Sequence, residues 1–312
     1  MRRTGSLSAV SSLRERAVGS VLGLALGDAL GAPFEFRRSH NIPSPLPAFE
    51  LPWMGKPPGS WTDDTAMARN LVRSLVERGG LDVGDVLARH LDWFATGPPD
   101  IGNQTRLALQ GARKGTPEHA RVVFERRGPE VSAGNGSVMY CAPLGVAYAR
   151  RPKELHELAP DLSAITHWDE RCRTACLAVT LAVAALVRGE PGEQAVVEAV
   201  TSVRDREGAE ELEHLVETAG ISRPIDGPDQ GFTLFTAAVA MRQAAHERPF
   251  EDGLREVVAL GGDTDTNGAV TGALLGALHG RAALPGAWLV KLADREEIQR
   301  EAEVLADLAE RQ

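Results

Sequence analysis

Cysteine is scarce in this 312-residue chain. Cys141, Cys172 and Cys176 are too few for a disulfide framework. Cys172 and Cys176 stand one helical turn apart, but no cluster of histidines or further cysteines accompanies them. They read as core residues in a reducing, cytoplasmic setting. Aromatic residues make up only 5% of the chain, while Ala, Leu, Val and Gly abound. That mix favours helices packed closely through small residues. Basic runs are missing and the formal net charge is -9, which argues against a broad nucleic-acid or anionic-membrane surface. An anionic ligand would need local help from helix N-termini, backbone amides or metals. The longest strongly apolar run, Thr174 to Val187, falls short of the roughly 20 residues of a spanning helix and predicts a central core helix. Ala17 to Leu26 follows Arg2 and Arg3 as a signal-peptide core would. Glu15, Arg16 and Asp28 bracket it, however, and its glycines are evenly spaced, so a buried helix is expected. Also missing are a phosphate-loop Gly-Lys-Ser/Thr motif, a G-x-S-x-G elbow and a dinucleotide fingerprint after a strand.

What is present is ordinary globular composition, 43% hydrophobic and 25% charged, enough for a large core. Residues 1–12 read as a disordered N-terminus and 13–312 as a single domain. Helical periodicity is expected at 13–30, 63–79, 82–95, 103–113, 117–126, 137–149, 153–158, 170–188, 192–203, 208–218, 231–246, 250–259, 267–279 and 286–310. No multi-strand sheet is expected, so the fold class is all-α. Residues 32–61, rich in proline, form a long loop, and loops of that length are usually functional or disordered.

Two rows of glycine stand out. Gly19, Gly23, Gly27 and Gly31 recur every four residues, as do Gly268, Gly272, Gly276 and Gly280. A glycine inside a helix costs about 1 kcal/mol relative to alanine. Each row lies on one helix face and would permit close backbone approach. The two helices are expected to pack near each other, or each against a bulkier core helix. In the first case Asp28 would approach the acidic turn before residue 267.

Two similar acidic turns precede helices: Gly59-Ser60-Trp61-Thr62-Asp63-Asp64-Thr65 and Gly261-Gly262-Asp263-Thr264-Asp265-Thr266-Asn267. Either alone reads as helix capping, since Thr and Asp are preferred caps and acids favour the first turn. Together they carry four carboxylates that would repel if brought close, and two divalent cations would offset that charge. Oxygen-only ligands suit hard ions such as Mg²⁺, Mn²⁺ or Ca²⁺ rather than zinc. Thr62 and Thr266 flank the acids and could add oxygens.

These turns resemble the paired metal-binding motifs of the ADP-ribosylglycohydrolase family, in particular its dinitrogenase-reductase-activating branch. The resemblance runs from about Ala17 to about Trp288. It includes Gly27-Asp28-Ala29-Leu30-Gly31-Ala32-Pro33-Phe34-Glu35, Gly97-Pro98-Pro99-Asp100-Ile101-Gly102-Asn103, Gly134-Asn135-Gly136 and Thr166-His167-Trp168-Asp169-Glu170-Arg171-Cys172. Each motif alone is weak; the ordered set is specific. The resemblance implies a compact orthogonal helical bundle with a binuclear metal cleft. It implies two cations, Mg²⁺ or Mn²⁺, on Thr62, Asp63, Asp64, Asp263, Asp265 and Thr266.

The same resemblance implies catalytic roles for Asp100, otherwise a turn residue, and for Glu35, otherwise a solvated loop acid. Glu35 would head a substrate-gating flap over 35–58. Gly134, Asn135 and Gly136, with Gly102, would contact the diphosphate or ribose; glycines at a helix start let backbone N–H groups approach a phosphate. Met139 would line the pocket, His167 would bind substrate, and Phe232 is expected to stack on adenine. Asp28 would stand behind the metal ligands. The implied activity is metal-dependent release of ADP-ribose from a modified acceptor, with ADP-ribosylated arginine in proteins as the expected substrate. The other readings are a non-catalytic ADP-ribose-binding or structural relative, a hydrolase for serine- or nucleic-acid-linked ADP-ribose, and a metal phosphohydrolase on nucleotides. The last is disfavoured because the histidine clusters of such enzymes are missing.

Overall fold

The structure, a computed structural model, describes residues 12–112 and 118–311. The expected disordered tail therefore lies outside the described residues except for Ser12, and so do residues 113–117, between two expected helices. In chain order the α-helices are α1 (Leu13–Gly31), α2 (Asp63–Arg78), α3 (Val83–Phe94), α4 (Asn103–Gly111), α5 (His119–Arg127), α6 (Ala142–Ala147), α7 (Leu155–Ala164) and α8 (Glu170–Arg188). They continue as α9 (Gly192–Ser202), α10 (Ala209–Thr218), α11 (Thr233–Ala245), α12 (Phe250–Ala259), α13 (Thr264–His279), α14 (Gly286–Lys291) and α15 (Arg295–Arg311). Extended pairing among the described residues amounts to β1 (Arg37–Arg38) antiparallel to β2 (Gly261–Gly262), plus isolated bridges. The all-α expectation holds.

α1 and α13 form the spine. Side by side and antiparallel, they set Gly19 against Gly276, Gly23 against Gly272, Gly27 against Gly268 and Gly31 against Thr264. A Cβ on any of these glycines of α1 would collide with a backbone carbonyl oxygen of α13. That collision is the physical reason for the row on α1 and for Gly268, Gly272 and Gly276, while Gly280 ends α13 at φ 80°; of the two packings expected it selects direct contact. By length and composition Leu13–Phe34 could cross a membrane, but 94% of its apolar window is buried inside the fold. α8, the apolar run expected at the centre, is buried along most of its length. The hydrophobic core extends from Ala17 to Leu308 without division.

Helix limits follow local chemistry. Thr62 caps α2, which stops at Gly79 in the left-handed region (φ 74°). Asp169 caps α8, and Gly189 ends it at φ 94°. Several boundaries differ from the periodicity. The 137–149 stretch splits into a 3-10 turn (Val138–Tyr140) and α6. α7 runs to Ala164 through the buried, interior Pro160, which has no N–H to donate to the carbonyl four residues back. The 286–310 stretch breaks at 292–294, where Asp294 takes φ 52°. α13 starts at Thr264 rather than 267, which puts Asp265 and Thr266 inside its first turn.

The proline-rich segment is folded down rather than free. Leu46, Phe49 and Trp53 are buried. Arg255 donates to Leu46 O at 2.8 Å and Lys291 to Phe49 O at 3.2 Å. The Phe49 and Trp288 rings lie 5.4 Å apart.

Candidate active site

Antiparallel packing of α1 and α13 brings the end of α1 to the start of α13: Thr264 Oγ1 donates to Gly31 O at 2.8 Å. Asp28, fully buried on α1, in turn grips the start of α2. Its carboxylate accepts from Thr62 N–H (3.0 and 3.1 Å), Thr65 N–H (3.0 Å) and Thr65 Oγ1 (2.5 Å). One buried carboxylate thus fixes the first acidic turn relative to the second. Burial pushes Asp28 up to about 6, against the pull of these hydrogen bonds.

The acids converge on a cleft of about 320 Å³. Its wall carries Glu35, Asp63, Asp100, Asp263, Asp265 and Thr266, together with Gly102, Gly134, Asn135, Gly136, Met139 and His167. Thr62 and Asp64 stand one layer behind, with Thr62 Oγ1 donating to Asp64 Oδ2 at 3.0 Å. Carboxylate oxygens of Glu35, Asp263 and Asp265 lie within 4.8 Å of one another. Glu35, expected as a catalytic flap residue, thereby joins the acids of the second turn. Across the cleft, Asp63 Oδ2 accepts from Gly102 N–H at 3.3 Å.

Unit charges ~4 Å apart interact by about 4 kcal/mol even at an effective dielectric of 20. The acids respond accordingly. Burial first, then Asp263, Asp100 and Asp28, push Glu35 up to about 8. Burial also holds Asp63, Asp64 and Asp265 well above the usual carboxylate range. Neighbouring acids add to it, foremost Asp100 for Asp63, Asp28 for Asp64 and Asp263 for Asp265. Asp100 is raised by burial as well.

These residues fit divalent cations. Asp64 Oδ1 and Asp265 Oδ1 are buried without a hydrogen-bond partner, which is costly unless a ligand completes them. The donors are all oxygen, the preference of hard cations.

The loop at Gly134 is pinned from both sides. Asn135 N–H donates to Gly231 O and Thr233 N–H to Ala133 O, each at 3.0 Å. Asn135 is expected at the substrate. It lines the cleft, and its Nδ2 donates to Asp263 Oδ2 at 2.9 Å and to Thr236 Oγ1 at 3.0 Å, while Thr236 donates on to Asn267 Oδ1 at 2.8 Å. Gly136 must be glycine because a Cβ there would stand 2.8 Å from the His167 ring and 2.9 Å from Thr105 Oγ1. His167 is buried, with Nδ1 3.0 Å from Thr166 Oγ1. Burial lowers it to about 4, so it is neutral near pH 7.

Phe232 lies elsewhere. It lines an adjoining hollow of about 500 Å³ with Arg171 and Arg223, reached through the shared Gly134. Its ring meets Phe235 edge-on at 5.3 Å. Further residues on the acidic cleft that the sequence reading did not single out are Phe36, Ile101, Asn103, Gln104 and Thr105. Both amide atoms of Gln104 are buried without a partner. In sequence, Asn103 to Thr105 look only like a helix start after Gly102.

Comparison with known proteins agrees with this geometry. The profile of the family described as ADP-ribosylglycohydrolase matches residues 9–312. The chain is 33% identical over 304 residues to the ADP-ribosyl-(dinitrogen reductase) glycohydrolase of Rhodospirillum rubrum, covering 96% of this chain and 98% of that one. It is 28% identical over 305 residues to the ADP-ribosylarginine hydrolase Tri1 of Serratia proteamaculans, covering 95% and 80%. A solved structure, an ADP-ribosylglycohydrolase-related protein complex, superposes with a TM-score of 0.79 at 34% identity, over 96% of this chain and 99% of that one. With the profile matched along nearly the whole chain, this protein belongs to the ADP-ribosylglycohydrolase family.

Proposed function

We propose that this protein hydrolyses the glycosidic bond between ADP-ribose and a modified arginine of a protein, with two divalent cations, Mg²⁺ or Mn²⁺. The observation that carries this reading is the convergence of Glu35, Asp63, Asp263 and Asp265 with Asp100 in one cleft. Two relatives support the choice of acceptor: one is named for ADP-ribosyl-(dinitrogen reductase) and the other for ADP-ribosylarginine.

Asp63, Asp64, Asp263 and Asp265, with Thr62 and Thr266, would hold the cations, and Glu35 stands within reach of the second pair. Bound there, the cations supply positive charge for orienting ribose hydroxyls and for offsetting charge that develops during bond cleavage. The remaining steps belong to the chain. The Gly134–Gly136 loop and neutral His167 would position the diphosphate and ribose, and holding reactants in place is a large part of the rate available to such a site. Asp100, on the same wall, would face the acceptor; a carboxylate pairs well with a planar guanidinium. Either Asp100 or Glu35, both on the cleft wall, would take the proton from attacking water. Cleavage would pass through an oxocarbenium-like transition state and leave ADP-ribose and the free acceptor.

The test is to incubate purified protein with arginine-ADP-ribosylated protein, with Mg²⁺ or Mn²⁺ and again with chelator, and follow free ADP-ribose. Cation-dependent release, abolished by Asp265→Asn, is the expected result. Release only from serine- or nucleic-acid-linked substrates would overturn the acceptor assignment. No release from any of them would overturn the catalytic reading.

A further inference from the structure

Phe36 lines the acidic cleft yet is 61% exposed. It follows Glu35 in the chain, and its backbone sits at φ 60°. Bulky side chains rarely adopt this left-handed conformation, and it persists only where the surroundings impose it. Here they do. Phe36 N–H donates to Gly262 O at 2.7 Å, and the next residue, Arg37, pairs with Gly262 in the two-stranded ladder. The turn holding Phe36 is the one that carries Asp263, so the residue belongs to the acidic end of the cleft. Strained backbone and lost burial together leave an aromatic face at the lip of a cleft that also presents Glu35, Asp63 and Asp100.

We propose that Phe36 is a specificity residue that stacks on the guanidinium of the acceptor, with carboxylate on the other side. A flat, delocalised, weakly hydrated cation is suited to both an aromatic face and a carboxylate. A neutral acceptor gains from neither. This assignment rests on the arginine reading given above.

The experiment compares wild type, Phe36→Leu and Phe36→Tyr on free ADP-ribosylarginine, on arginine-modified protein and on a neutral ADP-ribosylated serine peptide, with ADP-ribose affinity measured separately. Phe36→Leu keeps apolar bulk and removes the ring. It should lower kcat/KM on both arginine substrates by roughly 3- to 30-fold, while Phe36→Tyr restores it and ADP-ribose affinity stays unchanged. Equal loss in ADP-ribose affinity would overturn the proposal. So would loss confined to the protein substrate, which would indicate protein docking, or an unchanged kcat/KM on arginine substrates. If wild type itself releases nothing from ADP-ribosylarginine, the function and this assignment fall together. An active wild type beside an unaffected variant overturns this assignment alone.

Discussion

At the scale of single residues, the arrangement of the acids depends on groups that hold other side chains in place. Asn135 holds Asp263 with a hydrogen bond of 2.9 Å, and partners that orient a metal-binding group typically matter 10–100-fold in cation affinity. Asn135→Ala should therefore weaken Mn²⁺ binding by roughly that factor in calorimetry, while the fold remains. Unchanged affinity would mean Asp263 needs no such guide. Asp28 has a heavier duty, since four hydrogen bonds converge on it. Asp28→Ala leaves two N–H groups and a hydroxyl without an acceptor in a buried place. Buried orphans and lost charged bonds of this kind predict about 2–4 kcal/mol of destabilisation, read from urea unfolding with chelator present. A loss below ~1 kcal/mol would show that water replaces the carboxylate.

At the scale of elements, the α1–α13 contact explains what periodicity alone left open. The glycine rows were legible as faces for close approach, because helix-interior glycine needs a reason. Which partner each face met was not, since the rows say nothing of direction or register. Gly27→Ala places a methyl against the Gly268 backbone, and backbone cannot swing aside as a side chain does. Overpacking of this sort costs about 1–3 kcal/mol. Gly286→Ala, where a Cβ meets nothing within 4 Å, serves as the control and should leave the melting temperature essentially unchanged. Equal effects of the two would refute the close-packing account. Capping chemistry at Thr62-Asp63 was readable for the same local reason. The start of α13 was not, because Thr264-Asp265-Thr266 looks equally like a cap and a first turn. The break between α14 and α15 escaped notice because the pattern stays periodic across Asp294.

At the scale of the whole molecule, the metal-free cleft confines mutually repelling acids. The folded protein keeps protons that the unfolded chain has already released near pH 4, so it binds more protons than the unfolded state. Its stability in chelator should fall as pH rises from about 4 through the value of about 8 reached by Glu35. Cations displace those protons, so the gain in melting temperature on adding Mg²⁺ should widen from about pH 5 to about pH 8. A gap independent of pH would mean that the acids are not what the cations relieve. Six expected cation-binding positions and both expected catalytic acids lie in or directly behind one cleft; the two acidic helix starts were legible as a pair, whereas Glu35 and Asp100 were marked only by the family resemblance. The Asn135–Asp263 bond was not visible, because its partners stand 128 residues apart and nothing local pairs them. The place of Phe232 was not visible either: an aromatic before a helix does not say which of two neighbouring hollows it lines.

The glycine spine also sets an order of assembly. Gly31 and Thr264 meet although 233 residues separate them, and contacts of that span form late because closing so long a loop must come first. During synthesis the first acidic turn emerges long before the second. A chain still lacking α13 has only the first of the two acidic turns and no antiparallel partner for α1. Its glycine-lined face then remains open to water and to other chains until the last portion is made. A chain truncated before α13 should therefore be prone to aggregation and fail to accumulate in soluble form, which expression of the truncated chain beside the full one would show.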